Sequence, residues 1–319
     1  MSSACEFSII TESYNLLEGA KFESLRRSLE YATSTVERKG AGEVLLADVD
    51  GRPEIALLLK DFPLVRRVPC QGLSYDAAKN RAVEAACGEY IAFLDGDCIP
   101  EGAWLDALLG PLRSGASTMT CGYTSYAGGF WAAVQTVMDF GFLLPCKSRA
   151  VDCYPCNNWA SRRTELLERP IPVEDLRCSC YPHAQAMARR GAPIAMAPTA
   201  RVRHDLPPFW SERLRRGWDL VAVCWVDPVL AESRLLRLGF VALPAFYLGN
   251  LALDWKRLGW ARRAVGMSRL QASFALGLMP LLRVIDVVGI ARALWSGPPA
   301  RTESRSVIAE SKGQQPSSG

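Results

Sequence analysis

The chain has 319 residues, 49% of them apolar and 22% charged, with a net charge of +4 and a mean hydropathy of +0.04. These proportions exclude a disordered chain, a collagen and a plain coiled coil, and they fit one large domain or a domain with an appended segment. The charge is unevenly placed: residues 1–150 carry 14 Lys and Arg against 19 Asp and Glu, a net of −5, while residues 151–319 carry 23 against 14, a net of +9, and a basic half of this kind suits an anionic partner such as phosphate, nucleic acid or a membrane surface.

The first 110 residues alternate in period. Phe7–Ile10 is a short apolar run that suits a buried strand, followed by a polar, turn-like stretch, Thr11–Glu18. Phe22–Ala32 carries Leu25, Leu29 and Ala32 at helical spacing. Val44–Ala47 is a second strand, stopped by Asp48-Val49-Asp50-Gly51, and Ile55–Leu59 continues as a helix until Pro63. Val65–Val68 forms a third strand. Tyr75–Ala86 is a helix closed by Gly88, a residue type that suits the position after a helix end. Tyr90–Leu94 is a fourth strand ending in Asp95-Gly96-Asp97, and Trp104–Leu112 is a further helix. Strands alternating with helices predict an α/β fold with a mostly parallel sheet and helices on both faces. In such sheets ligands bind beyond the carboxyl ends of the strands, where Thr11–Asn15, Asp48–Asp50 and Asp95–Asp97 all fall.

The pattern loosens beyond this point. Ser117–Tyr126 reads as a strand, Phe130–Leu144 as a helix, and Asn157–Leu167 as a loop leading into a helix. His183–Arg190 is helical and ends at Gly191, and Ile194–Ala197 and Ala200–His204 are short extended pieces. From 209 to 296 apolar blocks alternate with single or paired Arg, and six Trp sit among them. Residues 201–300 carry a net +7, and the longest stretch without a charge, Leu238–Leu253, has 16 residues, short of a simple membrane span. Apolar segments flanked by Arg and Trp suit helices lying in a membrane interface, and a helical cap on the catalytic domain would read the same way. The expected division is a catalytic domain over 1–208, a helical, apolar and basic extension over 209–296, and a Ser-, Gln- and Pro-rich disordered tail over 297–319. No charged segment followed by an apolar core opens the sequence, and its 11 cysteines are an odd number, so a reducing cytoplasmic compartment is expected.

Two carboxylates one residue apart at a strand end, Asp95 and Asp97, can converge on one hard divalent cation; a surface turn would use the same residues. The stretch Gly72-Leu-Ser-Tyr-Asp-Ala-Ala-Lys-Asn80-Arg-Ala, with Ala86-Cys-Gly-Glu-Tyr-Ile-Ala-Phe-Leu-Asp-Gly-Asp97, resembles family 2 glycosyltransferases. So do the opening Phe7-Ser-Ile-Ile-Thr-Glu-Ser-Tyr-Asn15, the later Asn157-Asn-Trp-Ala-Ser-Arg-Arg163 and the stretch Pro198-Thr-Ala-Arg-Val-Arg-His204, so that the likeness covers about 7–210.

The resemblance implies a GT-A-like fold and an inverting enzyme that moves a sugar from a nucleotide-diphosphate sugar to a hydroxyl, with Mn²⁺ or Mg²⁺ as cofactor. It implies Thr11 and Glu12 near the base, Asp48 at the base or ribose, and Lys79 and Asn80 beside the nucleotide. Asp95 would take the ribose or support the metal, and Asp97 would bind it. Asn157, Asn158 and Arg162 would lie on the acceptor side. Inversion needs a carboxylate to take the acceptor proton, and Glu174-Asp175 is the only Glu-Asp pair between 140 and 210. Asp175 is therefore the expected base, although the pair lies further from Arg189-Arg190-Gly191 than the family spacing; a solvated acidic turn is the other reading. His204 is expected at the metal or diphosphate, or else half-buried and structural, and His183 is expected to be local structure. Arg213, Arg215 and Arg216 suit a diphosphate clamp, or a solvated or lipid-facing surface. Cys153-x-x-Cys156 with Cys178-x-Cys180 has four thiols for a structural zinc, with C-x-C an unusual second half, and Cys5, Cys70, Cys87, Cys98, Cys121 and Cys224 are expected to be packing thiols.

The expected partners are a nucleotide-sugar donor and a glycan or lipid-linked acceptor, with peripheral contact at the inner face of a membrane. The basic residues alternate with apolar blocks, which argues against nucleic acid. A scaffold that lost its base is one alternative. A nucleotidyltransferase is another, disfavoured because Thr11–Glu18 holds no glycine.

Overall fold

The computed structural model describes residues 5–143, 150–151, 153–173, 179–192, 194–207, 209–226 and 231–297. Its strands are β1 (Phe7–Glu12), β2 (Gly42–Asp48), β3 (Val65–Pro69), β4 (Tyr90–Leu94), β5 (Cys98–Glu101), β6 (Met119–Tyr126), β7 (Ala150–Val151), β8 (Asn158–Arg162) and β9 (Ile194–His204). They form one sheet in the order β3-β2-β1-β4-β8-β6-β9-β5, with β7 on the side of β9. The helices are α1 (Tyr14–Leu17), α2 (Phe22–Lys39), α3 (Pro53–Leu58), α4 (Tyr75–Ala85), α5 (Trp104–Arg113), α6 (Phe130–Phe140), α7 (Arg163–Glu168), α8 (Cys180–Arg189), α9 (Phe209–Val226), α10 (Ala231–Leu236), α11 (Leu243–Ala261) and α12 (Arg269–Ser296).

The half of the sheet built from β3, β2, β1 and β4 is wholly parallel. β2, β1 and β4 are largely apolar on both faces, as helices on both sides require, while β3 at the edge carries the exposed Arg66 and Arg67. Phe7, Ile9, Val44, Leu46 and Leu94 point into the core shared with Trp104 and Leu25, while Ile10, Leu45, Ile91 and Phe93 point into the other. β1 runs two residues past the expected end because Thr11 and Glu12 pair with Leu46 and Ala47 of β2.

In the other half β8 replaces the expected loop at Asn158–Arg162, lying antiparallel between β4 and β6. The sequence hides it because Asn158 and Ser161 are polar, yet both are buried and bonded. Asn158 accepts from Trp104 Nε1 at 2.8 Å and donates to the Tyr123 and Ala200 carbonyls at 3.1 and 3.0 Å, and Ser161 donates to the Thr118 carbonyl. The Asn158 amide clasps the register shift at which β9 bulges against β6, which joins Ile194–Ala197 and Ala200–His204 into one strand. β5, also unexpected, closes the edge against Arg201–His204.

The helices from 209 onward share a core with the sheet: Leu251, Leu258 and Met279 belong to the same buried cluster as Phe93 and Trp159. α9 and α12 cross backbone to backbone at two glycines. A Cβ on Gly217 would stand 2.1 Å from the Asp286 carbonyl oxygen, and one on Gly289 would stand 2.1 Å from that of Leu214. Pro280 removes one amide from α12 and would orphan the Leu276 carbonyl; Trp255 Nε1 of α11 donates to it at 3.3 Å. Residues 298–319 of the expected tail lie outside the described residues. Cys87 departs from the expectation of packing thiols: it is exposed, and with Cys5 and Glu43 it forms a group whose Sγ and carboxylate atoms lie within 4.8 Å of one another.

Candidate functional site

The carboxyl ends of β1, β2 and β4 open onto one polar cluster. At the end of β2, Asp48 is fully buried and accepts from Ser13 Oγ at 3.2 Å, the Gly51 amide at 2.9 Å and Arg67 Nε at 2.6 Å. Ser13 Oγ in turn accepts from the amides of Val49 and Asp50. These bonds hold the turn Asp48–Gly51 against the end of β1. Thr11 is buried in β1, and its Oγ1 has no partner among the described residues.

Glu12 turns inward. Its carboxylate accepts from the amides of Tyr14 and Asn15 at the start of α1, and from Gly96 at 3.4 Å. Gly96 is required there, since a Cβ would stand 2.4 Å from the Glu12 carbonyl. Burial, with Asp95 adding to it, pushes the Glu12 carboxyl up to about 8. Asp95 is tied on both oxygens: Lys79 Nζ donates to Oδ1 at 2.8 Å and Tyr75 Oη donates to Oδ2 at 2.6 Å. Lys79 is buried, lies 3.9 Å above the Tyr75 ring centroid and donates also to Tyr75 Oη and the Cys156 carbonyl. Burial alone would lower its pKa, but Asp95 holds it above the usual value, so the ammonium stays charged.

Asp97 stands apart from this pair. It accepts from Asn15 Nδ2 at 2.9 Å, and its other oxygen faces His204 Nε2 at 3.4 Å where the start of β5 pairs with the end of β9. His204 Nδ1 lies 2.6 Å from the Asp205 carbonyl, an arrangement that leaves Nε2 turned to Asp97. The Asp97, Cys98 and His204 donor atoms lie within 4.8 Å of one another. Burial drives the Cys98 thiol well above its usual range, so it stays protonated unless a metal coordinates it. Burial also raises the Asp97 carboxyl; His204 opposes the rise and Asp95 adds to it. An oxygen and an imidazole nitrogen facing each other, short of positive charge, fit a divalent cation that keeps positions open for phosphate oxygens. Asp95 is not among these donors, and its two oxygens are bonded to Lys79 and Tyr75.

Arg216 reaches the rim of the same pair. It donates to Tyr126 Oη at 2.8 Å, and the Tyr126 ring meets His204 edge-on at 5.5 Å. Arg215 turns away to Glu212 and Asp219. Arg213 is not a clamp at all: it is 1% exposed and bonded to Asp139 and Asp286.

The remaining candidates disperse. Asn80 holds the loop before α8, donating to the Ile171 carbonyl at 2.7 Å and accepting from its amide at 3.0 Å. Asn157 accepts from Thr124 Oγ1 at 2.9 Å, inside the sheet. Asn158 is the clasp described above. Arg162 pairs in register with Tyr90, at the opposite end of β4 from Asp95, and binds Glu89 at 2.7 Å; this placement does not fit an acceptor role. Glu174 and Asp175 lie outside the described residues, as does Cys178. His183 is buried, with Nδ1 2.7 Å from Tyr154 Oη, and burial lowers its pKa to about 4. Sequence reasoning missed Ser13, Tyr75 and Tyr126. For Tyr75 a signal was present: it sits four residues before Lys79, on the same helix face.

A model of glycosyl transferase family 2 matches residues 8–169. Glycosyltransferase AglE of Haloferax volcanii is 35% identical over 114 residues, which make up 33% of this chain and 35% of that relative, so the match spans about a third of the relative's length. Among solved structures, mannosyltransferase PcManGT from Pyrobaculum calidifontis in complex with GDP-Man and Mn²⁺ superposes with a TM-score of 0.57 at 18% identity, over 91% of this chain and 87% of that one. GalNAc-T7 with UDP, GalNAc and Mn²⁺ superposes with a TM-score of 0.50 at 13% identity, over 65% and 45%. At these identities the two likenesses are of fold, and they show the GT-A architecture.

Proposed function

This chain belongs to glycosyl transferase family 2, and from that premise we propose that it transfers a sugar, with inversion, from a nucleotide-diphosphate sugar to an acceptor hydroxyl. The observation that carries the reading is the Asp97–His204 pair, 3.4 Å apart at the carboxyl ends of the strands and short of positive charge. Asp97 and His204 would hold Mn²⁺ or Mg²⁺, whose chemistry when bound is to neutralise the diphosphate as it leaves. The two similar structures were solved with Mn²⁺ and with nucleotides or a nucleotide sugar, which supports this assignment.

The chain's own residues supply the rest. Ser13 and Asp48 shape the turn against which the base and ribose would lie, beside the end of β1. Lys79 and Tyr75 fix the Asp95 carboxylate beneath the ribose position, so donor binding would meet a preset surface. Arg216, held through Tyr126 next to His204, is placed to meet a diphosphate oxygen. Asp175, with Glu174 beside it, is assigned as the base that takes the acceptor proton while the acceptor oxygen bonds to the anomeric carbon. The acceptor is assigned as a lipid-linked or envelope glycan at the cytoplasmic face of a membrane, on the strength of the basic and apolar helices.

Thermal melting against UDP-, GDP- and dTDP-sugars, with and without Mn²⁺, tests the reading. One sugar nucleotide should raise the midpoint only when metal is present, and Asp97→Ala should abolish the shift. No shift with any of them, in folded protein, would overturn it.

A further inference from the structure

Of the 23 large apolar side chains exposed among the described residues, 15 fall between Trp210 and Trp295, so exposed apolar surface is concentrated on the C-terminal helices. On α12 the exposed Leu270, Phe274, Leu281, Val284, Val288 and Trp295 fall within about 80° of helical arc along about 38 Å of its length. The patch continues onto its neighbours. Trp255 of α11 bonds to the Leu276 carbonyl, and Phe130 at the start of α6 packs on Phe274 at 5.6 Å and on the exposed Trp131 at 5.9 Å. A soluble monomer rarely leaves a patch of this extent open to water.

α12 is also long and apolar enough to cross a bilayer. Its buried face argues against crossing. Arg283 binds Asp254 of α11 through two nitrogens, at 2.6 and 2.7 Å, and Asp286 binds Arg213 of α9. Drawing α12 alone into hydrocarbon would part these pairs and strand their charges. The charge at the surface is one-sided. Over 234–297 the exposed charged residues are Arg234, Arg237, Lys256, Arg263, Arg269 and Arg292, while the acids of that stretch, Asp254 and Asp286, are buried. Lys256 also lies 5.8 Å from the Trp260 ring centroid.

We propose that the α11–α12 face lies flat in the interface of a bilayer containing anionic phospholipid, seating the enzyme peripherally. The apolar stripe enters the acyl boundary and the cations meet the headgroups. This deepens the proposed function, on whose membrane-side acceptor it rests. The patch reaches Trp131 at the start of α6, the helix that follows the Tyr126 end of β6.

Co-sedimentation of the full chain with vesicles tests it. Vesicles of equal parts phosphatidylcholine and phosphatidylglycerol should bind the protein at least about tenfold more tightly than phosphatidylcholine alone. The double variant Val284→Glu/Val288→Glu should lose pelleting while keeping its melting midpoint and its metal-dependent nucleotide-sugar shift. That retained shift separates this inference from the donor assignment. If the double variant melts early, Trp295→Ser, at a side chain 84% exposed, serves in its place and should weaken pelleting. No binding to either vesicle, or binding that the variants leave unchanged, overturns the proposal. So does retention in cell membranes through alkaline carbonate extraction, which would make α12 a span. A concentration-dependent dimer abolished by the double variant would overturn it too, since a second copy would then cover the face.

Discussion

Two buried charge clusters in this molecule are built on opposite terms. Beneath α12, Arg213, Arg216, Arg257 and Arg283 face Asp139, Asp254, Asp286 and Glu212 in a balanced set. At the carboxyl ends of the strands, Glu12, Asp95 and Asp97 face Lys79, with His204 at the edge. Asp139 of the first cluster and Asp97 of the second respond in opposite directions, although burial also raises Asp254 of the first. Burial would raise Asp139, but Arg216, Arg213 and Arg283 together hold it below its usual range. Burial raises Asp97, and nothing in the chain reverses the rise. Where charge is balanced internally, the cluster holds helices together, with Arg216 extending from it through Tyr126 to the rim of the site. Where acid is in excess, the carboxyls hold their protons more tightly, and a bound cation would relieve the excess.

The contrast makes opposite demands on two substitutions. Arg213→Ala would leave Asp139 and Asp286 buried with less positive charge, at a cost of about 3–5 kcal/mol. Urea unfolding should show that loss, and a change below about 1 kcal/mol would mean that the α12 cluster is not structural. Asp97→Asn removes one acid from the crowded cluster. Its stability should hold within about 1 kcal/mol or rise, because a buried repulsion is relieved. Its metal-dependent affinity for the donor should fall by about a hundredfold or more, beyond the usual effect of an outer-shell partner. Titration calorimetry with Mn²⁺ and nucleotide reads that loss. A variant that unfolds yet binds normally when refolded would reverse the two roles.

The open cluster was easier to read in the sequence than the closed one, for a physical reason. Apolar runs such as Tyr90–Leu94, stopped by Asp95-Gly96-Asp97, mark the strand and the end beyond which ligands bind in such sheets. β8 stayed hidden because Asn158 and Ser161 look like loop residues until Trp104, Tyr123, Ala200 and Thr118 supply their bonds from distant parts of the chain. Arg213, Arg215 and Arg216 look equivalent along the chain. Their turn positions on α9 send Arg213 to Asp286, Arg215 to the buried Glu212 and Asp219, and Arg216 to Tyr126, and the crossing of α9 with α12 seats Arg213 deepest. Asn80 was placed beside the nucleotide with Lys79, but adjacent helix residues point about 100° apart, and Asn80 holds Ile171 instead.

His183 sharpens the comparison on a smaller scale, as a buried titratable group shifted by burial alone. It sits against Tyr154 and Trp159, its Nε2 lacks a partner among the described residues, and burial alone lowers its pKa from 6.5 to about 4. The folded protein therefore binds this proton less readily than the unfolded chain does. Stability from neutral His183 is fully present above about pH 6.5 and is lost as the pH falls through 4. Between pH 7.5 and pH 5 the loss amounts to about 2 kcal/mol. His183→Asn should flatten that part of the stability curve in urea titrations at stepped pH, whatever it does to stability at neutral pH. An unchanged slope would place the acid sensitivity elsewhere, with the carboxylates of the open cluster as the next groups to replace.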